Sequence, residues 1–249
     1  MRAVKRAMRV AVISDIHSNL PALRAVLADV GGHDPEQVWC LGDVVGYGAH
    51  PDDCTEMVSD VVEICLAGNH DLVVTGEIDI RYFAMSAGAA ARWTVKKIRN
   101  GTREYLATLA PLGQIEGIGL YHASPRDPVW EYVLSIAQAG ECLEAQRQRV
   151  CLIGHSHVAC WFARNNGDPD GRQADDGAVI EMASGEWLVN PGSVGQPRDG
   201  DPRAAWMMLD TDAWTATFHR VEYPIDEAAR AIVDAGLPRS LADRLFQGL

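Results

Sequence analysis

Short apolar runs that break into polar, glycine-rich loops set the rhythm of this chain. Residues 9–14 (RVAVIS) form a β-branched run that reads as a buried strand. It ends in Asp15-Ile16-His17-Ser18-Asn19. Pro21 then opens a helix with apolar positions at Leu23, Val26, Leu27 and Val30, and Gly31-Gly32 stops it. A second strand at 38–41 stops at Gly42-Asp43 and enters a glycine-rich loop through Gly48. A helix at 51–60 and a third strand at 61–66 follow, and that strand runs into Ala67-Gly68-Asn69-His70-Asp71. Strand, polar loop and helix thus recur three times. In such α/β units the carboxyl ends of the strands share one edge, where ligand-binding groups collect.

The middle of the chain, 79–110, reads as helical, with a long Ala-rich segment at 83–98 and a shorter one at 102–109. Trp93 is expected to anchor the core. A strand at 114–121 delivers His122, a helix covers 135–147, and a strand at 150–153 delivers Gly154-His155-Ser156-His157. The second half turns to β, with runs at 159–164, 178–182, 186–189, 204–209 and 215–222. Residues 165–177 are polar and rich in Gly and Asp, which predicts a mobile hairpin tip. Amphipathic segments at 225–235 and 240–247 are expected to cover a sheet.

The 249 residues fit one domain, expected at 8–249, with 1–7 as a loose basic extension lacking the apolar stretch of a signal peptide. No apolar run is long enough for a bilayer span. The expectation is a soluble, cytoplasmic protein, with homo-oligomerisation open. A net charge of −12 argues against non-specific nucleic-acid binding, which rests on Lys and Arg neutralising phosphates. The six cysteines form no Cys-x-x-Cys pair and read as small buried hydrophobes rather than a disulfide framework.

Five of the eight histidines (His17, His70, His122, His155, His157) fall in loops directly after predicted strands, beside Asp15, Asp43 and Asn69. His33, His50 and His219 do not, and receive no role. A carboxylate at the end of a buried strand is costly unless its charge is compensated. Asp43 therefore either caps the next helix or makes a turn, or it holds a cation. Imidazole mixed with carboxylate and amide oxygen suits Mn, Fe, Zn or Ni better than Ca or Mg. The donors outnumber one coordination shell, and two ions sharing a carboxylate would use them all.

Asp15-Ile16-His17, Gly42-Asp43, Gly68-Asn69-His70-Asp71, His122 and Gly154-His155-Ser156-His157 follow the order D-x-H, G-D, G-N-H-(D/E), H, G-H-x-H. This resembles the calcineurin-like metallophosphoesterase superfamily. Ser14–Leu20, Leu41–Gly48 and Asn190–Arg198 resemble its small prokaryotic branch of YfcE-like and diadenosine-tetraphosphatase-like proteins. The resemblance implies a four-layer αββα sandwich, two mixed sheets flanked by helices. It implies one metal on Asp15, His17 and His157, a second on Asn69, His122 and His155, and Asp43 bridging them, with Mn as the foremost ion and Fe, Zn or Ni as alternatives. It further implies attack by a metal-bridging hydroxide, with His70 assisting the leaving group and Asp71 orienting His70 or serving a turn.

Arg198 is a candidate phosphate contact or a solvated loop residue, Asn69 a candidate substrate contact besides its metal role, and Tyr47 a candidate stacking residue beside the substrate. Asn190 and Ser193 are candidates to hydrogen-bond the ligand loops from behind. Arg126, Asp127 and Glu131 look family-like without a mechanism. The expected substrate is a small phosphodiester or nucleotide polyphosphate. A DNA or RNA nuclease and a protein phosphatase are the enzymatic alternatives. A non-catalytic binding scaffold is the remaining one, disfavoured because all seven ligands and His70 are present.

Overall fold

The computed structural model describes residues 8–249, and the expectation for residues 1–7 lies outside them. In chain order the elements are β1 (Arg9–Ile13), α1 (Leu20–Gly32), β2 (Gln37–Cys40), α2 (Pro51–Val61), β3 (Ile64–Cys65), α3 (Asn69–Thr75), α4 (Met85–Lys97) and α5 (Asn100–Leu106). A hairpin follows, β4 (Leu112–Ile115) and β5 (Ile118–Tyr121), then α6 (Ile136–Ala145) and β6 (Val150–Leu152). The second half holds β7 (Ala159–Arg164), β8 (Asp170–Gln173), β9 (Val179–Glu181), β10 (Glu186–Pro191), β11 (Ala204–Asp210), β12 (Thr215–Val221), α7 (Ile225–Asp234) and α8 (Arg239–Asp243).

Two six-stranded mixed sheets result, in the orders β3-β2-β1-β11-β12-β9 and β4-β5-β6-β10-β7-β8. Strand alternation explains the layers. In β1, Val10 and Val12 join Trp39, Leu120, Leu152, Val189 and Met207 in an apolar layer to which both sheets contribute. Ala11 and Ile13, on the other face of β1, pack with α1, α2, α4, α7 and α8 residues such as Leu23, Val58, Ala90, Ile232 and Leu241. The second sheet turns Cys151, Cys160 and Leu188 toward Ala139, Cys142 and Leu143 of α6. The αββα sandwich of mixed sheets is borne out.

Several boundaries differ from the pattern-based expectation. The strand expected at 114–121 is a hairpin, because Glu116 and Gly117 both take positive φ, the geometry of a tight two-residue turn. The third strand shrinks to Ile64–Cys65, since α2 continues through Val61. Residues 165–177 contain a strand, β8, that pairs antiparallel with β7. Helix α3 begins within the segment expected to be loop. The helical region expected from 79 starts with a short 3-10 turn at Ile80–Tyr82, and α4 follows only from Met85. All six cysteines are free, five of them buried. Among the described residues, no helix is long and apolar enough to cross a membrane.

Candidate metal centre

Strands β1, β2 and β3 run parallel in one sheet, and β5 and β6 run parallel in the other. Their carboxyl ends project five loops to one place. Asp15, His17, Asp43, Asn69, His122, His155 and His157 all arrive there, each buried to within a few per cent. Asp15, His17, Asp43 and His157 form one group of donors, and Asp43, His122 and His155 a second. Asp43 belongs to both.

Imidazole orientation decides what the cluster presents. The Nδ1 atoms of His17, His122 and His157 lie 3.1, 2.8 and 2.6 Å from the carbonyl oxygens of Val45, Leu41 and Gln196. A carbonyl only accepts, so each ring donates Nδ1–H and turns an Nε2 lone pair inward. His17 Nε2 and His157 Nε2 are then 3.1 Å apart, lone pair facing lone pair. Asp15 Oδ1 lies 3.4 Å from His157 Nε2, and Asp43 Oδ2 lies 3.5 Å from both His17 Nε2 and His122 Nε2. Asn69 Oδ1 sits 3.2 Å from His122 Nε2. Asp43 Oδ2 and His155 Nε2 are buried with no hydrogen-bond partner among the described residues. Converging lone pairs and orphaned acceptors are unfavourable unless a cation lies between them. The donor set fits divalent transition metal.

Electrostatics agree. Burial raises the Asp15 carboxyl to about 7 and Asp43 well above its ordinary range, with Asp71 adding to the latter. Burial also holds His17, His155 and His157 well below 6.5. Without a cation the cluster favours its uncharged form; a cation reverses that preference.

The backbone is strained to achieve this. Asp15, His17, Asp43, His155 and His157 all take positive φ, between 50° and 63°. Non-glycine residues rarely do so, and such strain collects at functional sites. Asp43 does two things at once. Its Oδ1 accepts from the backbone N–H of His70 at 2.8 Å, capping α3 from a distant loop, while Oδ2 stays free for a cation. Gly68, at the start of α3, passes so close that a Cβ there would strike the Asp43 carboxylate and its backbone nitrogen.

His70 also reaches the centre, its ring 4.8 Å from that of His17, 4.4 Å from Tyr47 and 4.6 Å from Phe83. Burial, then the charge of Arg198, keep it well below 6.5. The expected orienting contact from Asp71 is absent. Its oxygens accept instead from the backbone N–H groups of Val44, Val45 and Gly68, at 3.2, 3.0 and 2.9 Å. Asp71 therefore ties the Asp43 loop to the start of α3.

Asn190 donates to Gly154 O and Ser156 Oγ, and Ser193 donates to Asp15 O, so both hydrogen-bond the loops that carry Asp15, His155 and His157. Arg198 is half-buried rather than a free loop residue: its Nη2 donates to Tyr47 Oη at 3.3 Å and Gln196 Oε1 at 2.9 Å, and its Nε is buried without a partner among the described residues. Arg126 pairs with Glu131 and Glu141 and Ser124 donates to Glu131, a structural role for that loop. Sequence reasoning missed Tyr132, whose ring stacks on His155 at 4.1 Å, and Phe83 and Trp130, which meet at 5.6 Å. No periodicity marks these residues, since each contact joins distant loops.

A family model for the calcineurin-like phosphoesterase superfamily domain matches residues 8–213. The chain belongs to that superfamily. Its members are metal-dependent phosphoesterases, so this protein is a hydrolase of phosphate esters. An uncharacterized protein of Methanocaldococcus jannaschii is 37% identical, with 96% of this chain and 98% of that protein covered. The crystal structure of a metallophosphoesterase from Sphaerobacter thermophilus superposes with a TM-score of 0.88 at 38% identity, covering 98% of this chain and 100% of that one. A hypothetical protein from Pyrococcus horikoshii shares the fold, with a TM-score of 0.78 at 20% identity over 97% of this chain and 98% of that one.

Proposed function

We propose that residues 8–249 form one catalytic domain that hydrolyses small phosphodiesters or nucleotide polyphosphates at a dinuclear centre. One observation carries this reading: two donor groups share Asp43, and their histidines are locked with Nε2 inward. Asp15, His17 and His157 would hold one ion, Asn69, His122 and His155 the other, and Asp43 would bridge. Two divalent cations there would supply Lewis-acid charge neutralisation and a water acidified to near-neutral pKa. The donor chemistry suits Mn, with Fe, Zn and Ni as competitors.

The chain's own residues bind and orient the ester. Arg198 directs a guanidinium at the centre, where its charge depresses the proton affinity of Asp15, Asp43, His17, His70, His155 and His157. That position suits a second phosphate or the non-bridging oxygens of a diester. A cleft of about 590 Å³ beside it is lined by Tyr47, Met85, Arg198, Arg244 and Leu249, with room for a small organic group. His70 is neutral near pH 7; the negative charge of a bound ester raises its proton affinity and prepares it to protonate the leaving oxygen. Tyr47 and Phe83 hold its ring.

The test is hydrolysis of bis-p-nitrophenyl phosphate after chelation and reloading with Mn2+, Ni2+, Fe2+ or Zn2+ in turn. Turnover restored by at least one ion is expected, followed by a preference for dinucleoside polyphosphates or diesters over single-stranded DNA and phosphopeptide. No turnover with any ion would sink the proposal.

A further inference from the structure

The last turn of α1 lies over the β11–β12 ladder, where Trp206 and His219 are directly paired. Three donors meet there. Asp29, on α1, and His33, which caps the C-terminus of α1, are four residues apart, with His33 Nε2 3.9 Å from Asp29 Oδ2, and His219 projects from β12. The donor atoms of all three lie within 4.8 Å of one another. The imidazole rings of His33 and His219 are 4.6 Å apart between centroids.

Trp206 arranges the group. Its buried indole stacks on His219 at 4.2 Å and 12°, and meets the edge of His33 at 5.3 Å. Its Nε1 donates to Asp29 Oδ2 at 2.8 Å, which fixes the carboxylate and leaves Oδ1 uncommitted to it. Partners of this kind, hydrogen-bonded behind a ligand, orient metal-binding carboxylates. Asp29 and His33 are 38% and 39% exposed, so an ion has a path in from solvent. The nearby Arg203 and Arg220 are paired with Asp176, Asp199 and Asp201, so neither sets an uncompensated positive charge beside the three donors.

We propose that Asp29, His33 and His219 form a further divalent transition-metal site, of the two-histidine, one-carboxylate kind that takes Zn2+, separate from the Asp43 centre. Bond lengths of about 2.0–2.2 Å place tetrahedral donors roughly 3.3 Å apart, so binding draws the donors together by up to about 1.5 Å. Rotation of the half-exposed His33, at the end of its helix, supplies that movement. Water completes the shell. The 13 residues of α1, about 20 Å long at 1.5 Å per residue, separate this site from His17 at the other end of the helix. The ion would pin α1 to β12, so it acts on stability rather than on turnover.

The full-length chain, stripped with chelator, is dialysed against buffered free Zn2+, and bound zinc per chain is measured by elemental analysis. Wild type is expected to bind one ion more per chain than His33→Gln or Asp29→Asn, whatever number the main centre holds. The reading is thus independent of the dinuclear assignment. Substitution with Co2+ adds a second readout, visible absorption that these variants lose in part. Equal stoichiometry in wild type and both variants would overturn the proposal, as would an extra ion whose affinity neither substitution weakens by at least tenfold. His219→Gln supplies a third, strand-borne test, read by the same difference, with circular dichroism verifying the fold.

Discussion

Replacing Asp71 by Ala separates two accounts of a residue that lies beside the reactive groups. Its carboxylate is fully buried and accepts three backbone hydrogen bonds, from Val44, Val45 and Gly68. Truncation leaves three buried N–H groups without an acceptor, at about 1–3 kcal/mol each when none is rescued. Two offsets apply. Water enters part of the space, and a carboxylate whose burial raises its proton affinity is no longer present. We expect a net loss of about 2–4 kcal/mol, or roughly 5–15 °C in Tm for a chain of this size. The Asp43 loop should slacken too, with Mn2+ affinity falling about tenfold or more. The assay is thermal unfolding of the chelated and Mn-loaded proteins, alongside a Mn2+ titration. Asp71→Asn should lie between, because one oxygen still accepts while the new amide opposes a backbone N–H. A Tm within about 2 °C of wild type, with turnover lost only on poor leaving groups, would refute the splint and restore the His70-orienting role.

His70→Ala should keep its metal content by elemental analysis and slow turnover more for an alkyl than for a nitrophenyl leaving group; loss of metal would make His70 structural. Gly68→Ala, whose Cβ would strike Asp43, should cut metal occupancy sharply at unchanged secondary structure, as read by circular dichroism. Arg198→Ala should raise KM for a dinucleoside polyphosphate at least tenfold, with a smaller effect on bis-p-nitrophenyl phosphate; equal effects on both would remove the second-phosphate role. The chelated protein should be most stable near pH 6.5, as measured by Tm across pH 5 to 9. Below that, the unfolded chain protonates histidines that burial keeps neutral in the fold, His17, His70, His155 and His157, so stability falls as pH drops. Above it, Asp15, raised to about 7, and Asp43, also raised by burial, keep protons that the unfolded chain has lost, so stability falls as pH rises through their folded values. Added Mn2+ should lift the alkaline side, and a metal-free Tm still climbing at pH 8 would contradict this.

The candidate ligands were legible because each falls in a loop after a predicted strand, and strand ends in α/β units point one way by topology. Nothing in local pattern could do the same for Tyr132 or Phe83, which reach the centre from loops and make contacts across long sequence distances. The hairpin at Glu116-Gly117 hid inside an apolar run, since only backbone dihedral angles betray the turn. Helix α3 was lost because its first residues, Asn69, His70 and Asp71, are also the chemistry-bearing ones and read as loop. His33 and His219 drew no attention for a related reason. One ends a helix and the other sits in a strand, and only the packing of α1 on β11 and β12 makes them neighbours.

Asp43 shows why the centre needs such support. The choice between a helix cap and a metal ligand need not be exclusive: one oxygen caps α3, and the other is left free for a cation. Capping fixes the carboxylate's direction before any cation arrives, but the loop conformations around it are unfavourable. Five candidate ligands in left-handed backbone geometry cost about 1–2 kcal/mol each. Their sum is comparable with the whole stability of a typical domain. Asp71, Asn190 and Ser193 help to hold that strain, through hydrogen bonds to the backbone on the far sides of the loops. Damage to these hubs should therefore appear first as weakened metal binding, at temperatures where the sheets are still intact. A preorganised ligand set is a strained one, so substitutions at its bracing residues should weaken metal affinity as substitutions at the candidate ligands do.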